Sequence, residues 1–427
     1  MKKPSSKSVR DSLTLACCTL LHTATDAQAE LMEDIDIDTA VLYYSESDGR
    51  VSLIEPVVKI TSELGEDEFV SLQLVFDTLT GASPNGAQAS NIAQTFTSPS
   101  GKREYTTPAG ELPLDDFFRD SRLAVTGSYE KPIDRLTKNT WTGTFSKEFD
   151  WLSLGAGYTY AKDFNQRNTT LTLGAGLALD TINPIGGTPI PLSAMAPPSS
   201  PQPKETDESR NTVDLMVGVT QVLSRKTITQ FNFGVSQSDG YHSDPFKIVS
   251  LIDDNLGPSY GQPNGTYLHE SRPDSRQRTT LYWKIAHHLT EDVINFAYRY
   301  YTDDWGVDAH TLDLKYRFRL TARDYLQPHI RYYSQTAADF YRHSLLASEA
   351  LPEYVSTDLR LGEFDTLTYG IKYGRVLGKN NEISGRVEFM QQTGESNPAD
   401  AIGEQQNHDL YPDLDAIILQ FSYSFIW

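Results

Sequence analysis

The chain has 427 residues, 38% of them hydrophobic, and a formal charge of -20. That charge argues against nucleic acid as a partner, because nucleic-acid binding relies on Lys and Arg neutralising phosphates. No apolar run reaches the roughly 18 residues of a transmembrane helix, so a helical membrane protein is excluded too.

Residues 1–29 read as an export signal: Lys2, Lys3, Lys7 and Arg10 are basic, 13–21 is a short apolar run, and Ala27-Gln28-Ala29 offers a cleavage site. Both cysteines, Cys17 and Cys18, fall inside it. A mature chain starting at Glu30 therefore has no disulfide, and an extended hydrogen-bonded sheet is the expected source of stability.

Beyond the signal, apolar and polar residues alternate, as they do where a strand has one apolar face. The pattern starts at Ile35, Ile37, Val41 and Tyr43 and returns at 54–60, 70–76, 123–129, 141–145, 152–160, 171–179, 213–219, 231–235, 281–285 and 294–300. It continues at 312–320, 326–332, 367–373, 383–389 and 415–427. In 312–320 (LDLKYRFRL) every even position is apolar or aromatic and every odd one is charged. A helix would smear that order around its cylinder.

The expected fold is all-β: a transmembrane, antiparallel, up-and-down β-barrel of about 16 strands, each roughly 9 to 12 residues long. It occupies 30–427, with outer-membrane lipid around it. A secreted β-sandwich also alternates, but it would carry polar outer faces and shorter strands. Long connections are expected near 80–120, 180–210, 238–275, 336–362 and 393–414. Short ones fall at 223–226, 287–292, 321–323 and 375–380. Long loops outside and short turns inside place both the N- and the C-terminus in the periplasm. This parity demands a long periplasmic turn at 131–139. The Pro-rich 180–210 is expected to be extended or mobile rather than packed.

On such a strand the alternate set faces the lumen. In the first half that set contains Asp36, Asp38, Glu55, Asp77 and Asp214, with Lys59 as the exception. Later it contains Lys284, Arg299, Lys315, Arg317, Arg319, His329, Arg331, Lys372 and Arg386, against Asp313, Glu382 and Glu388. A basic wall facing an acidic one orients polar solutes and sets ion preference. Equally, such charges pair into ladders inside a filled barrel.

The chain ends LQFSYSFIW, with Phe421, Tyr423, Phe425 and Trp427 on one face. This resembles the C-terminal signature of bacterial outer-membrane barrels, which implies recognition by the barrel-assembly machinery. The stretches DTLTGASPNGA (77–87), QTFTSPSGKREY (94–105), GELPLDDFFRDSR (110–122), FSKEFDW (145–151) and DFNQRNTTL (163–171) resemble a bacterial family of unknown function. Members of that family are held to form outer-membrane barrels, and the likeness runs over nearly the whole mature chain. It implies the fold and no activity; its occasional grouping with periplasmic flavin-transfer or thioredoxin-like proteins implies a redox context.

No catalytic, cofactor or metal residue is assigned. His287-His288 makes a poor metal site, Asp115, Asp116 and Asp120 lack the spacing of a calcium loop, and no G-x-S-x-G occurs. The leading expectation is a porin or channel for a small polar or anionic solute. The alternative is a non-conducting sleeve or anchor for a periplasmic or surface redox partner, and an embedded hydrolase ranks last.

Overall fold

The computed structural model describes residues 35–97, 104–184, 186–195, 204, 205, 207–256, 267–378 and 381–427, excepting the side chains of 116–118 and 204. The export signal at 1–29 lies outside the described residues.

Sixteen strands close into one antiparallel barrel in simple chain order. They are β1 (Ile35–Glu46), β2 (Ser52–Gly65), β3 (Glu68–Pro84), β4 (Leu114–Asp134), β5 (Thr137–Lys147), β6 (Trp151–Phe164), β7 (Thr169–Ile182) and β8 (Glu208–Ser224). The second half is β9 (Thr227–Gly240), β10 (Ser275–His288), β11 (Val293–Asp303), β12 (Asp308–Arg319), β13 (Asp324–Gln335), β14 (Phe364–Leu377), β15 (Asn381–Gly394) and β16 (Leu414–Ile426). The seam is β1 against β16, paired from Asp36–Ile426 to Glu46–Ala416. Beyond the last ladder pair, Trp427 donates its N–H to Ile35 O at 2.9 Å.

Alternation sorts the side chains as the sequence does. Val41, Leu154, Leu177, Leu215, Phe231 and Phe421 are among the large apolar residues left exposed on the outer face. Only lipid makes such a surface favourable. Outward tyrosines near both edges tie their hydroxyls to polar groups. At one edge Tyr332 donates to Asp365 at 2.8 Å and Tyr300 to Asp308 at 2.9 Å. At the other, Tyr373 donates to Asp324 at 2.6 Å and Tyr316 to Asp292 at 2.7 Å. Between Asp365 and Tyr373 a strand tilted by roughly 40° rises about 20 Å, close to the height of an outer-membrane apolar band.

All five long connections, 85–113, 183–207, 241–274, 336–363 and 395–413, leave one end of the barrel. The other end has short turns and carries the start of β1 at Ile35 and the end of β16 at Ile426. The expected long turn at 131–139 is not there: β4 and β5 run on to a two-residue turn, Arg135 and Leu136. Pro132 stays inside the ladder opposite Lys138, beside a bulge before Asp134. Lys138 meets Glu130 at 2.8 Å and gives this polar stretch a strand's cross-pairing.

The described residues of the connection 180–210 are also more packed than expected. Thr188–Pro189 pairs with Lys204–Glu205, and Met195 packs on a cluster of Ala87, Phe96 and Ile248. The long connections build a crown around 241–274. Ile248 N–H reaches Asn85 O, Leu251 and Ile252 pair in parallel with Leu345 and Leu346, and Ser271 and Val355 exchange backbone hydrogen bonds. A second apolar cluster, Trp305, Val307, Ala338, Phe340 and Leu361, lies under the connection 336–363.

Candidate functional site

Apart from Lys59 on β2, each sequence-predicted basic residue sits on β10 to β15, and strand register decides its neighbours. Tyr282, Arg299, Thr311 and Tyr333 lie side by side across β10 to β13. One step down the strands, Lys284, Ala297, Asp313 and Arg331 form the next row. Short side chains at Ala297 and Thr311 leave a hollow between long ones. The result is a recess of about 390 Å³ lined by both rows except Tyr333. It shares Arg299, Thr311 and Arg331 with a recess of about 250 Å³ nearer the crown, where Arg276, Tyr333 and Arg360 join. It shares Lys315 with a recess of about 200 Å³ toward the short-turn end, lined also by His329, Lys372 and Arg386. A basic track thus follows the wall from crown to short turns.

The cations on this track are of two kinds. Lys315 meets Asp313 at 3.3 Å, Lys372 and Arg317 meet Glu382 at 3.8 and 3.9 Å, Arg386 meets Glu388 at 3.6 Å, and Arg276 holds Asp303 at 2.5 Å. Arg317 also stacks on Tyr325, 3.7 Å from the ring centre. Arg319 turns to the carbonyl of Thr321 at 3.1 Å. Lys284, Arg299 and Arg331, in contrast, have no carboxylate within ion-pair distance among the described residues.

Arg331 stands directly opposite Asp313 in register, yet Asp313 is engaged elsewhere. His329 places Nε2 at 2.9 Å from Asp313 and Nδ1 at 2.7 Å from Glu388. His329 thus bridges the two carboxylates through both ring nitrogens. The reach from β13 to β15 crosses Gly370 on β14, where a Cβ would come within 2.6 Å of Glu388 Cγ. Tyr325 lies over Gly374 in the same way and donates to Glu382 at 2.5 Å.

The acidic residues do not form a matching wall. Asp36 and Asp38 are on β1, with Asp38 opposite Lys59. Glu55 and Asp77 both turn to Arg122, at 3.7 and 2.7 Å, and Asp214 stands on β8 away from them. Between these, the inward positions of β5 to β7 are mostly Thr, Ser, Gly and Ala: Thr140, Thr142, Thr144, Gly155, Gly157, Thr172, Gly174 and Gly176. The charged wall therefore faces a smooth, small one. Sequence reasoning passed over this half because it follows charges, although TWTGTFS, LSLGAG and LTLGAG display it. Arg276, Arg122 and Arg360 were missed as well, the last because it belongs to a connection.

Arg360 closes a buried network in the crown. Arg272 donates to Glu270 at 3.0 Å and to Asp358 at 2.9 Å, Ser356 donates to Glu270 at 2.6 Å, and Arg360 reaches Asp358 at 2.6 Å and Asp244 at 2.8 Å. Burial pushes the Glu270 carboxyl up. Burial opposes ionisation of Asp358 too, but Arg360, Lys247 and Arg272 hold its carboxyl well below the usual range. Gln335, at the top of β13, donates to the Arg360 and Gly362 carbonyls at 3.1 and 2.7 Å and so fixes this segment above the track. Asp120, Glu148 and Asp150 also come within 4.8 Å of one another. The C-terminal residues Phe421, Tyr423 and Phe425 face outward on β16, with the last two rings stacked at 5.1 Å, and Trp427 is exposed.

A closed sixteen-strand barrel with an apolar exterior and a charged interior is a transmembrane β-barrel of the bacterial outer membrane. The chain belongs to the family described as Protein of unknown function (DUF3570), whose model matches residues 10–425. No curated protein matches it. Among solved structures it is similar to a CymD monoaromatic hydrocarbon channel, at 8% identity over 93% of this chain and 90% of that one, with a TM-score of 0.40. It is also similar to the outer membrane protein OpdK from Pseudomonas aeruginosa (8%, 92% and 98%, TM-score 0.39) and to OccK3 (OpdO) of the same organism (10%, 94% and 98%, TM-score 0.40). Likeness at this level carries no information about what this chain conducts or binds.

Proposed function

We propose that the barrel is a channel passing small anionic solutes along the wall of β10 to β15. One observation carries the reading: Lys284, Arg299 and Arg331 line joined recesses without a carboxylate partner. Cations already paired inside a barrel stabilise the wall and add little to the field in its lumen. Unpaired ones leave a positive potential for a passing anion. The small neutral wall opposite leaves room for it. In this reading the crown faces outward and the end with short turns, where β1 begins and β16 ends, faces the periplasm. The C-terminal strand is then presented to the barrel-assembly machinery.

Planar-bilayer recording tests the channel. Anion preference, read from reversal potentials in a salt gradient, should fall when Lys284, Arg299 and Arg331 are together replaced by Gln. The same change at Lys315, Arg317 and Arg319 should have less effect, because two of those three are already committed to carboxylates. Folded protein that stays silent in bilayers would refute the channel, and a co-purifying periplasmic protein or a bound chromophore would then favour the sleeve.

A further inference from the structure

The rows of residues around the recess of about 390 Å³ define more than a potential. Arg299 lies between Tyr282 and Thr311 in one row, and Tyr333 closes that row on β13. Lys284 and Arg331 end the adjacent row, with Ala297 between them on the floor. The hollow thus combines two guanidinium groups and one ammonium with tyrosine and methyl surface. Asp313 borders it too, but Lys315 and His329 absorb its charge. His329 in turn is shared with Glu388, which Arg386 also approaches.

We propose that Lys284, Arg299 and Arg331 form a subsite for the carboxylate of a small organic anion whose apolar body lies against Tyr282 and Ala297. The proposal rests on the channel reading and names its solute class. A guanidinium presents two parallel donors that match a carboxylate in plane. The Tyr282 face and the Ala297 methyl add attraction for an apolar body and none for a bare inorganic ion. The crown above argues for a single charge. Its exposed residues include Glu349, Glu353, Glu363, Glu395, Asp400 and Asp409, and their repulsion grows with the charge of the entering anion.

The test uses the full-length barrel refolded in detergent and in planar bilayers, with sodium benzoate, acetate and inorganic phosphate as probes. Benzoate should reduce the current of single channels saturably, with a half-blocking concentration at least about tenfold below those of acetate and phosphate. Arg331→Gln and Arg299→Gln should each raise the benzoate value by about tenfold, as expected for loss of one charge-assisted contact. Lys372→Gln, which removes a cation already paired with Glu382, should leave it within about twofold. Tyr282→Ala should narrow the gap between benzoate and acetate, while Arg331→Lys should restore part of the Arg331→Gln loss. Equal block by benzoate and acetate, or equal effects of Arg331→Gln and Lys372→Gln, would overturn the subsite. Titration calorimetry on the same protein separates the two claims. Benzoate heat with no conductance supports the subsite and refutes the channel, whereas conductance without benzoate heat does the reverse. Heat-modifiable migration on gels confirms that each variant is folded.

Discussion

The bridge from Asp313 through His329 to Glu388 lends itself to a quantitative test. The side chains of His329 and Glu388 are 9% and 5% exposed, so their 2.7 Å contact is a nearly buried ion pair, whereas Asp313 at 24% remains partly solvated. Breaking a buried pair by deleting one partner costs about 3–5 kcal/mol, because the other charge stays behind unpaired. The half-solvated contact adds about 1 kcal/mol. His329→Ala should therefore destabilise the barrel by about 4 kcal/mol and Glu388→Ala by about 3. The double variant should be about 2 kcal/mol more stable than their sum, the coupling expected of residues in one network. Gly370→Ala strains the ladder beneath the bridge. Its Cβ would stand 2.2 Å from Val387 O and 2.6 Å from Glu388 Cα and Cγ, so it should destabilise the barrel whether or not His329 is present. The assay is urea unfolding in lipid vesicles, followed by loss of the heat-modifiable gel band. Additivity of the two single variants within about 0.5 kcal/mol would show that the bridge is not an energetic unit.

Three further outcomes are expected. Phe425→Asp, or deletion of Trp427, should lower the amount of barrel in the outer membrane several-fold without changing the conductance of what assembles; unchanged membrane levels would contradict the role given to the last strand. Arg272→Ala leaves Glu270 and Asp358 buried without their shared cation, and limited proteolysis should then cut the crown while the strands stay intact. On acidification, the depressed Asp358 carboxyl contributes stability at pH above its unfolded value of about 3.9 and loses it as pH falls further. Crown protease resistance should accordingly hold from about pH 8 to 5 and drop below about pH 4, and Asp358→Asn should abolish that step; Glu270, whose carboxyl is raised, contributes with the opposite sign and cannot cause it.

The strands were legible because lipid imposes one rule on every outward position, and 312–320 shows that rule without exception. The stretch 131–139 broke the rule with Lys131, Pro132 and Asp134, which lie beyond the apolar band, where strands continue on cross-pairing alone. The inward position of the basic set was legible for the same reason. Which of those cations remain unpaired was not, because that depends on residues brought together across strands, such as His329 reaching Glu388 over Gly370. The crown was the least legible part: its contacts join connections far apart in sequence, such as Gln88 to Ser250 at 3.0 Å, and no local period announces them.

Those ties across the mouth have a mechanical consequence. The connection 241–274 is bonded to 85–113, to the described part of 183–207 and to 336–363, and 395–413 joins the last through Tyr411 and Leu359 at 2.9 Å. Strand pairs far apart around the wall are thus cross-braced, and the rim resists flattening into an oval. The brace also fixes an order of events. A sheet still open between β1 and β16 has no set diameter across which the loops can meet, so the crown forms only after the last strand docks on the first. A nascent barrel with its seam unjoined should expose the crown segments to antibodies or proteases that no longer reach them once the cylinder is shut.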